Sequence, residues 1–450
     1  MYYTHVLESL KSFLRPKRGR IIVEPRIIAR PDHNISRADI SDSALKVLYR
    51  LKDCGYRACL VGGGVRDLLL GVQPKDFDVA TDASPEEIKK IFNNARLIGR
   101  RFRLAHVRYG RELIEVSTFR ADLSDTKHEQ RHTDDSGRIL RDNVYGSIAE
   151  DARRRDFTVN GLYYDISDFA IYDYVDGMAD IESRTLRLMG DPDVRYREDP
   201  VRMLRAVRIA AKLNLTIEPA TLKPIAQLAG LMADVPAARL FDEVLKALMA
   251  PYGLDVYDVM RANGLFEPMF PASVAAMETT GNGSGEMIIR RALENTGQRM
   301  LDDKPVTPAF LYAAFLWPAV RESQLAYIDD DKPPAPALAM AQRDIISAQV
   351  QRVSIPKRFG VPMREIWQLQ PRFHKRRGKQ PQRLMSHPRF RAAYDFLLLR
   401  AEAGEVEQEL ADWWTQIQEH PDSPAPAPAK AGSARRRRGG RGRGRQKNPE

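Results

Sequence analysis

Cysteine is almost missing from this chain: Cys54 and Cys59 are the only two in 450 residues. Two cysteines so close together build no disulfide framework, which excludes a bridge-stapled secreted scaffold and fits a reducing, cytoplasmic compartment. Long apolar runs are lacking too. No segment reaches the roughly 20 apolar residues that a membrane-crossing helix needs, so no transmembrane segment is expected. The opening stretch MYYTHVLESLKSFLRPKRGR has no signal-type apolar core, because Glu8, Ser9 and Lys11 interrupt it. What remains is an ordinary globular composition, 43% hydrophobic and 29% charged. The chain is long enough for two or three domains rather than one core.

Charge is plentiful but unevenly spread. Of the net +11, Lys430–Glu450 supplies +8, with nine Lys or Arg and one Glu. This tail (KAGSARRRRGGRGRGRQKNPE) follows a Pro/Ala linker, PDSPAPAPA at Pro421–Ala429. It has too little apolar surface to bury and is expected to be disordered. Arg-Gly mixtures suit sequence-tolerant contact with single-stranded RNA, through phosphate pairing and stacking of guanidinium planes. A solubility tail or a nonspecific polyanion binder is the plainer alternative.

Between these ends the pattern changes once. Leu45, Leu48 and Leu51 recur at helical spacing in Ser43–Asp53, and Gly55 ends that helix. Arg57–Val61, Asp76–Ala80, Arg103–Tyr109 and Leu113–Phe119 read as strands. Pro85–Phe92 and Val65–Leu70 read as short helices. Ile171–Val175 and Thr185–Met189 are expected to form the two arms of a hairpin. Ala121–Ile139 is polar and aperiodic and reads as a loop; His128 and His132 there lack the apolar support a helical metal site would need. Past Arg197 the pattern turns helical, beginning with Asp199–Leu213, where Asp199 is expected as N-cap and Pro200 as the first helical residue. Ala238–Met249, Met287–Leu293, Ala309–Trp317 and Arg389–Arg400 read as further helices, with a break at Asp329–Pro336.

The chemistry concentrates in LVGGGVRDLLLGVQPKDFDVAT, Leu60–Thr81. Residues two apart on a strand face one side, so Asp76 and Asp78 would present both carboxylates to one spot. Paired acids repel unless a cation lies between them, and oxygen ligands of this kind suit Mg²⁺ together with substrate phosphates. Glu115, in LIEVSTFR, is the candidate third acid from a neighbouring strand. An Asp-x-Asp in an exposed turn is the competing explanation. The glycines are no Walker loop, since no Gly-Lys-Ser/Thr follows. They do let backbone approach a ligand closely, with Gly63, Gly64 and Arg66 beside a helix start. A tight structural turn with an Arg66–Asp67 contact is the alternative.

LVGGGVRDLLLG followed by PKDFDVAT resembles the head motif of the class II nucleotidyltransferases, the group that holds CCA-adding enzymes and bacterial poly(A) polymerases. Arg153–Asn160 (RRRDFTVN) resembles that family's second motif. The resemblance implies that Arg154 and Arg155 contact the nucleotide and that Asp156 belongs to the catalytic centre with Asp76 and Asp78. Glu198–Arg202 (EDPVR) resembles the motif that holds the incoming base through Asp199 and Arg202. By spacing alone, that pair is equally a helix cap with a surface ion pair. LIGRRFRLAHV (Leu97–Val107), with Arg100, Arg101 and Phe102, resembles the stretch that sets the poly(A) polymerases apart from CCA-adding enzymes. None of the eight histidines precedes an Asp, so the phosphohydrolase domain of many CCA-adding relatives is not expected.

The likeness implies an α+β fold: a small mixed head followed by an elongated all-helical neck and body. Boundaries follow as an N-terminal extension (1–35), head (36–190), neck (191–255), RNA-binding body (256–420) and basic tail (421–450). It also implies template-independent transfer of AMP from ATP to RNA 3′ ends, with Mg²⁺ held by Asp76, Asp78 and Glu115. A monomer is expected, and the tail would hold RNA or RNA-decay and RNA-chaperone proteins. CCA addition to tRNA and a noncatalytic RNA-binding adaptor are the rival readings.

Overall fold

The computed structural model describes residues 24–99, 103–121, 132–133, 139–141 and 144–419. The expectations for the first 20 residues, for Arg100–Phe102, for His128 and for the basic tail lie outside the described residues.

Eight strands make the central sheet: β1 (Arg26–Ile28), β2 (Ala58–Val61), β3 (Asp78–Thr81), β4 (Ala95–Ile98), β5 (Leu104–Tyr109), β6 (Glu112–Thr118) and, after a small separate pair β7 (His132–Thr133) and β8 (Ile139–Arg141), β9 (Leu162–Asp165) and β10 (Ile171–Asp173). Their order is β1-β10-β9-β2-β3-β6-β5-β4. Only the central β3–β6 pair is parallel; its other neighbours run antiparallel. A parallel neighbour requires a crossover. Here it is supplied by the helix Pro85–Ile91, whose Ser84 and Glu87 form a capping box, and by β4 and β5.

Both faces of the sheet are covered. On one lies α1 (Asp42–Asp53), capped by Ser41 and buried through Ala44, Val47, Leu48 and Leu51. On the other, Ile148 and Ala152 pack with Cys59, Val61, Ala80, Phe119 and Tyr163. Cys54 and Cys59 are free, the first exposed and the second buried. β1 pairs with β10, so the sheet reaches back into the segment expected as an N-terminal extension.

The hairpin expectation fails. Ile171–Asp173 pairs with β9 and β1, whereas Thr185 and Leu186 pair in parallel with Thr216 and Ile217. Local alternation marks a strand but does not say which strand it meets. Beyond the sheet the described chain is helical. It includes α2 (Gly63–Leu69) within the head, the helices α3 (Pro192–Glu198) and α4 (Val201–Leu213) after it, and long body helices at Ser284–Leu301, Pro308–Asp329 and Pro334–Arg352. One buried cluster runs without interruption from Ile28 in the sheet to Leu399 in the body. A smaller one gathers Phe373, Leu384, Phe390, Trp413 and Trp414. No helix among the described residues is long and apolar enough to cross a membrane.

Candidate active site

Asp78 is the first residue of β3. In the parallel register it stands opposite Glu115 of β6, and Glu115 stands opposite His106 of β5. Asp76 lies just before the strand, which starts later than expected. The alternation still holds: Asp76 is exposed and Phe77 is buried against Gly64. Burial and the nearby Glu115 push the Asp78 carboxyl up to about 6; Asp76 adds to this, while Arg155 and Arg205 oppose it. Such a group of mutually repelling acids fits a divalent cation. Among the described residues, no three His, Cys, Asp or Glu converge into a ready-made metal cage. Glu115 instead accepts a contact from His106 Nε2 at 3.1 Å. An incomplete oxygen set matches Mg²⁺, which takes part of its coordination from substrate phosphates and water.

The glycine turn closes over these acids. Gly62, at φ +66°, links β2 to α2; a Cβ there would meet Arg155 Nη1 at 3.2 Å and Asp78 Oδ2 at 4.0 Å. It is the position where a side chain would fill the gap between Arg155 and Asp78. Sequence reading singles out Gly63 and Gly64 and misses Gly62, although the first glycine after a strand is the one that must turn. Gly64 backs onto Phe77 and the Asp76 carbonyl, fixing the acid pair against the helix.

Arg66 is buried and engaged. Its Nε and Nη2 donate to Asp67 Oδ1 at 2.8 and 2.6 Å, and Nη1 donates to Asn160 Oδ1 at 2.7 Å. Asp67 Oδ2 in turn accepts from Lys212 Nζ of α4 at 2.7 Å. Asn160 donates to Asp156 Oδ1 at 2.8 Å, and Asp156 Oδ2 pairs with Arg205 of α4 at 2.5 Å. Burial alone would raise the Asp156 carboxyl, but Arg205, Asn160, the Phe157 amide and Arg202 hold it down at about 2. Arg155 donates to Tyr163 Oη at 2.8 Å and to Asp151 at 3.0 Å. Arg154 caps the preceding helix, and Arg195 donates to the carbonyls of Arg154 and Arg155 at 2.8 and 2.7 Å.

Asp199 and Arg202 differ from expectation in their partners. Asp199 ends α3, and Pro200, not Asp199, is the N-cap of α4. Both Asp199 carboxylate oxygens accept from Arg239, at 2.8 and 2.7 Å. Arg202 Nη1 donates to the Arg195 carbonyl at 2.7 Å and to Glu198 at 3.0 Å. Arg239 sits on the amphipathic helix Ala237–Leu248, where an arginine reads as a solvent-facing residue, so no local pattern marks it.

Comparison with known proteins decides the family. A poly(A) polymerase I of Salmonella typhi is 50% identical over 404 residues, covering 87% of this chain and 85% of that protein. The chain belongs to the bacterial poly(A) polymerase family. The model described as "Poly A polymerase head domain" matches residues 58–187 and holds Asp76, Asp78, Glu115 and Asp156. "Probable RNA and SrmB- binding site of polymerase A" matches 214–277, and "Polymerase A arginine-rich C-terminus" matches 330–449. A CCA-adding enzyme of Lactobacillus johnsonii is 35% identical over 229 residues, or 51% of this chain. The fold is shared with the Thermotoga maritima CCA-adding enzyme complexed with tRNA, at TM-score 0.55 and 18% identity, covering 86% of this chain and 83% of that one. Poly(A) polymerases are nucleotidyltransferases, so this chain is an enzyme of that class.

Proposed function

We propose that this chain extends RNA 3′ ends with adenylate, taking AMP from ATP without a template and releasing pyrophosphate. In that step the RNA 3′ oxygen bonds to the α-phosphorus as the bond to the β-phosphate oxygen breaks. Asp76 and Asp78 would hold Mg²⁺, with Glu115 as third acid. Bound there in a two-metal arrangement, the cation would make the 3′-hydroxyl more acidic and stabilise the leaving pyrophosphate.

The chain's own residues do the rest. Gly62, Gly63 and Gly64 leave room for the triphosphate beside the acids, and Arg155 and Arg205 add positive charge there. Arg154 would contact the nucleotide beside Arg155. Arg66 acts through Asp67 and Asn160, holding the glycine turn against Asp156. With no template to pair, side chains must select the base. Adenine presents a ring acceptor beside its amino donor, which suits an arginine donor next to a carboxylate acceptor. Asp199 and Arg202 are that couple, each fixed by a further residue.

The observation that carries the reading is the alignment of Asp78 with Glu115 across the parallel strand pair, beside a positive-φ glycine. The choice of poly(A) over CCA addition rests on identity extending through most of the chain. The test is labelled ATP, Mg²⁺ and a generic RNA primer, beside CTP with a tRNA lacking its CCA end. ATP-only extension of the generic primer supports polyadenylation. Ordered CTP-then-ATP addition on tRNA alone overturns it, and no extension with RNA binding retained favours the adaptor. The basic tail as a hold for RNA or RNA-decay and RNA-chaperone proteins, supported by its charge, and a cytoplasmic setting, supported by the scarcity of cysteine, belong to the same proposal, as does a monomeric state.

A further inference from the structure

Asp151 is not among the acids placed at the metal or the base, yet it is buried beside them. It sits on the short helix Ile148–Arg153, just before the segment that resembles the second motif. Its Oδ2 accepts from Arg155 Nη2 at 3.0 Å and from the Tyr163 hydroxyl at 2.5 Å. The Tyr163 oxygen in turn accepts from Arg155 Nε at 2.8 Å, so the side chains close a triangle. Burial pushes the Tyr163 hydroxyl well above its ordinary range, which keeps on it the proton that it gives to Asp151.

The register of the sheet says where the triangle points. Tyr163 pairs with Val61, Val61 with Asp78 and Asp78 with Glu115, one row across β9, β2, β3 and β6. Tyr163 therefore stands roughly 10 Å from Asp78, with β2 between them. Arg155 bridges that interval. A guanidinium is planar, and Nε with Nη2 form one edge of the plane. That edge is clamped by Tyr163 and Asp151, and the Tyr163 ring lies 5.1 Å from the guanidinium carbon. Nη1 is the atom that a Cβ on Gly62 would meet at 3.2 Å, with Asp78 Oδ2 4.0 Å from the same point.

We propose that Asp151 is a positioning residue for nucleotide binding: together with Tyr163 it holds one edge of Arg155, so that Nη1 is kept beside the glycine turn where the triphosphate would lie. The proposal rests on the reading of Arg155 as a nucleotide contact. A purely structural role is the competing account, because Asp151 Oδ1 also accepts from the Arg120 amide at 3.1 Å, just past β6. The two differ in one respect. A residue that acts through Arg155 has nothing left to do once Arg155 is gone, whereas a residue that holds the Arg120 amide still does.

The experiment is a double-mutant cycle in the full chain. Asp151→Asn removes the charge and leaves an oxygen for the Arg120 amide; Tyr163→Phe removes only the hydroxyl and serves as a second, milder variant should Asp151→Asn not fold. Each is made alone and together with Arg155→Ala, and the affinity for a non-hydrolysable ATP analogue is measured by calorimetry beside that for adenosine. In the otherwise wild-type chain, Asp151→Asn should weaken the analogue by about tenfold and leave adenosine unchanged. In the Arg155→Ala background the same substitution should change the analogue's affinity by less than about twofold. An equal loss in both backgrounds overturns the proposal, as does an equal loss for adenosine or no loss at all. Should Arg155→Ala itself bind the analogue as wild type does, the nucleotide-contact reading fails first; if Arg155→Ala weakens it and Asp151→Asn and Tyr163→Phe do not, only the positioning role fails.

Discussion

Arg239 grips Asp199 with both of its terminal nitrogens, one on each carboxylate oxygen. A bidentate fork fixes the plane of the carboxylate as well as its position. Asp199 is thereby held in one orientation, as its proposed base-selecting role requires. Arg239→Lys keeps the charge but not the fork. The ratio of kcat/KM for ATP to that for CTP should fall by about tenfold, the equivalent of roughly 1.4 kcal/mol. RNA affinity should change far less. An unaltered ratio would detach Arg239 from base selection.

Asp78 gives a pH signature. Its folded-state pKa of about 6 lies above the ordinary carboxylate value, so the fold prefers it protonated. The stability it contributes without metal is complete below the usual carboxylate range and is lost as pH rises through about 6. Asp78→Asn removes that cost. In chelator, the variant should be more stable than wild type by about 1–3 kcal/mol at pH 8, with the gap closing toward pH 4. It should have no detectable activity. Thermal unfolding across that range measures the gap, and a constant gap would contradict the assigned environment. Asp156 behaves oppositely: its contribution is present above the ordinary range and lost as pH falls toward about 2.

Gly62→Ala tests the turn. The residue has φ +66°, and the added methyl carbon would come within 3.2 Å of Arg155 Nη1. Strain of this type costs on the order of 1–3 kcal/mol. KM for ATP should rise together with the loss of stability. Gly71→Ala, also at positive φ but with nothing within 4 Å, is the control: it should lose stability and leave KM unchanged.

Glu115→Gln separates a metal ligand from a bystander held by His106. The Mg²⁺ concentration for half-maximal activity should rise by about 10–100-fold. Mn²⁺ binding, followed directly by paramagnetic relaxation, should weaken in parallel. If both stay at wild-type values, Glu115 serves only its contact with His106.

The acid pair and the glycines are legible in the sequence because period-two alternation and chain reversal are local properties. Phe77 is drawn into the core while Asp76 is exposed and Asp78 half-buried, as alternation expects, although only Asp78 is in the strand. What escapes is non-local. Thr185 pairs with Thr216, and no pattern around either residue names the other. Asp199 reads as a helix start because Pro200 follows it; the short helix Pro192–Glu198, capped by Asp191, ends on it instead. Arg66 illustrates the third limit. A phosphate-binding arginine and a buried structural one have the same sequence, and only its bonds to Asp67 and Asn160 distinguish them.

Two polar tethers run from the glycine-turn helix to the helix that begins beside Asp199: Asp67 to Lys212, and Arg66 through Asn160 and Asp156 to Arg205. Joined at two points, the two helices cannot pivot about either one. On the proposed reading, the span between the end that would receive phosphates and the end that would read the base is thus set like the jaws of a locked caliper. A nucleotide would then be gauged by its length as well as by the pattern of its edge.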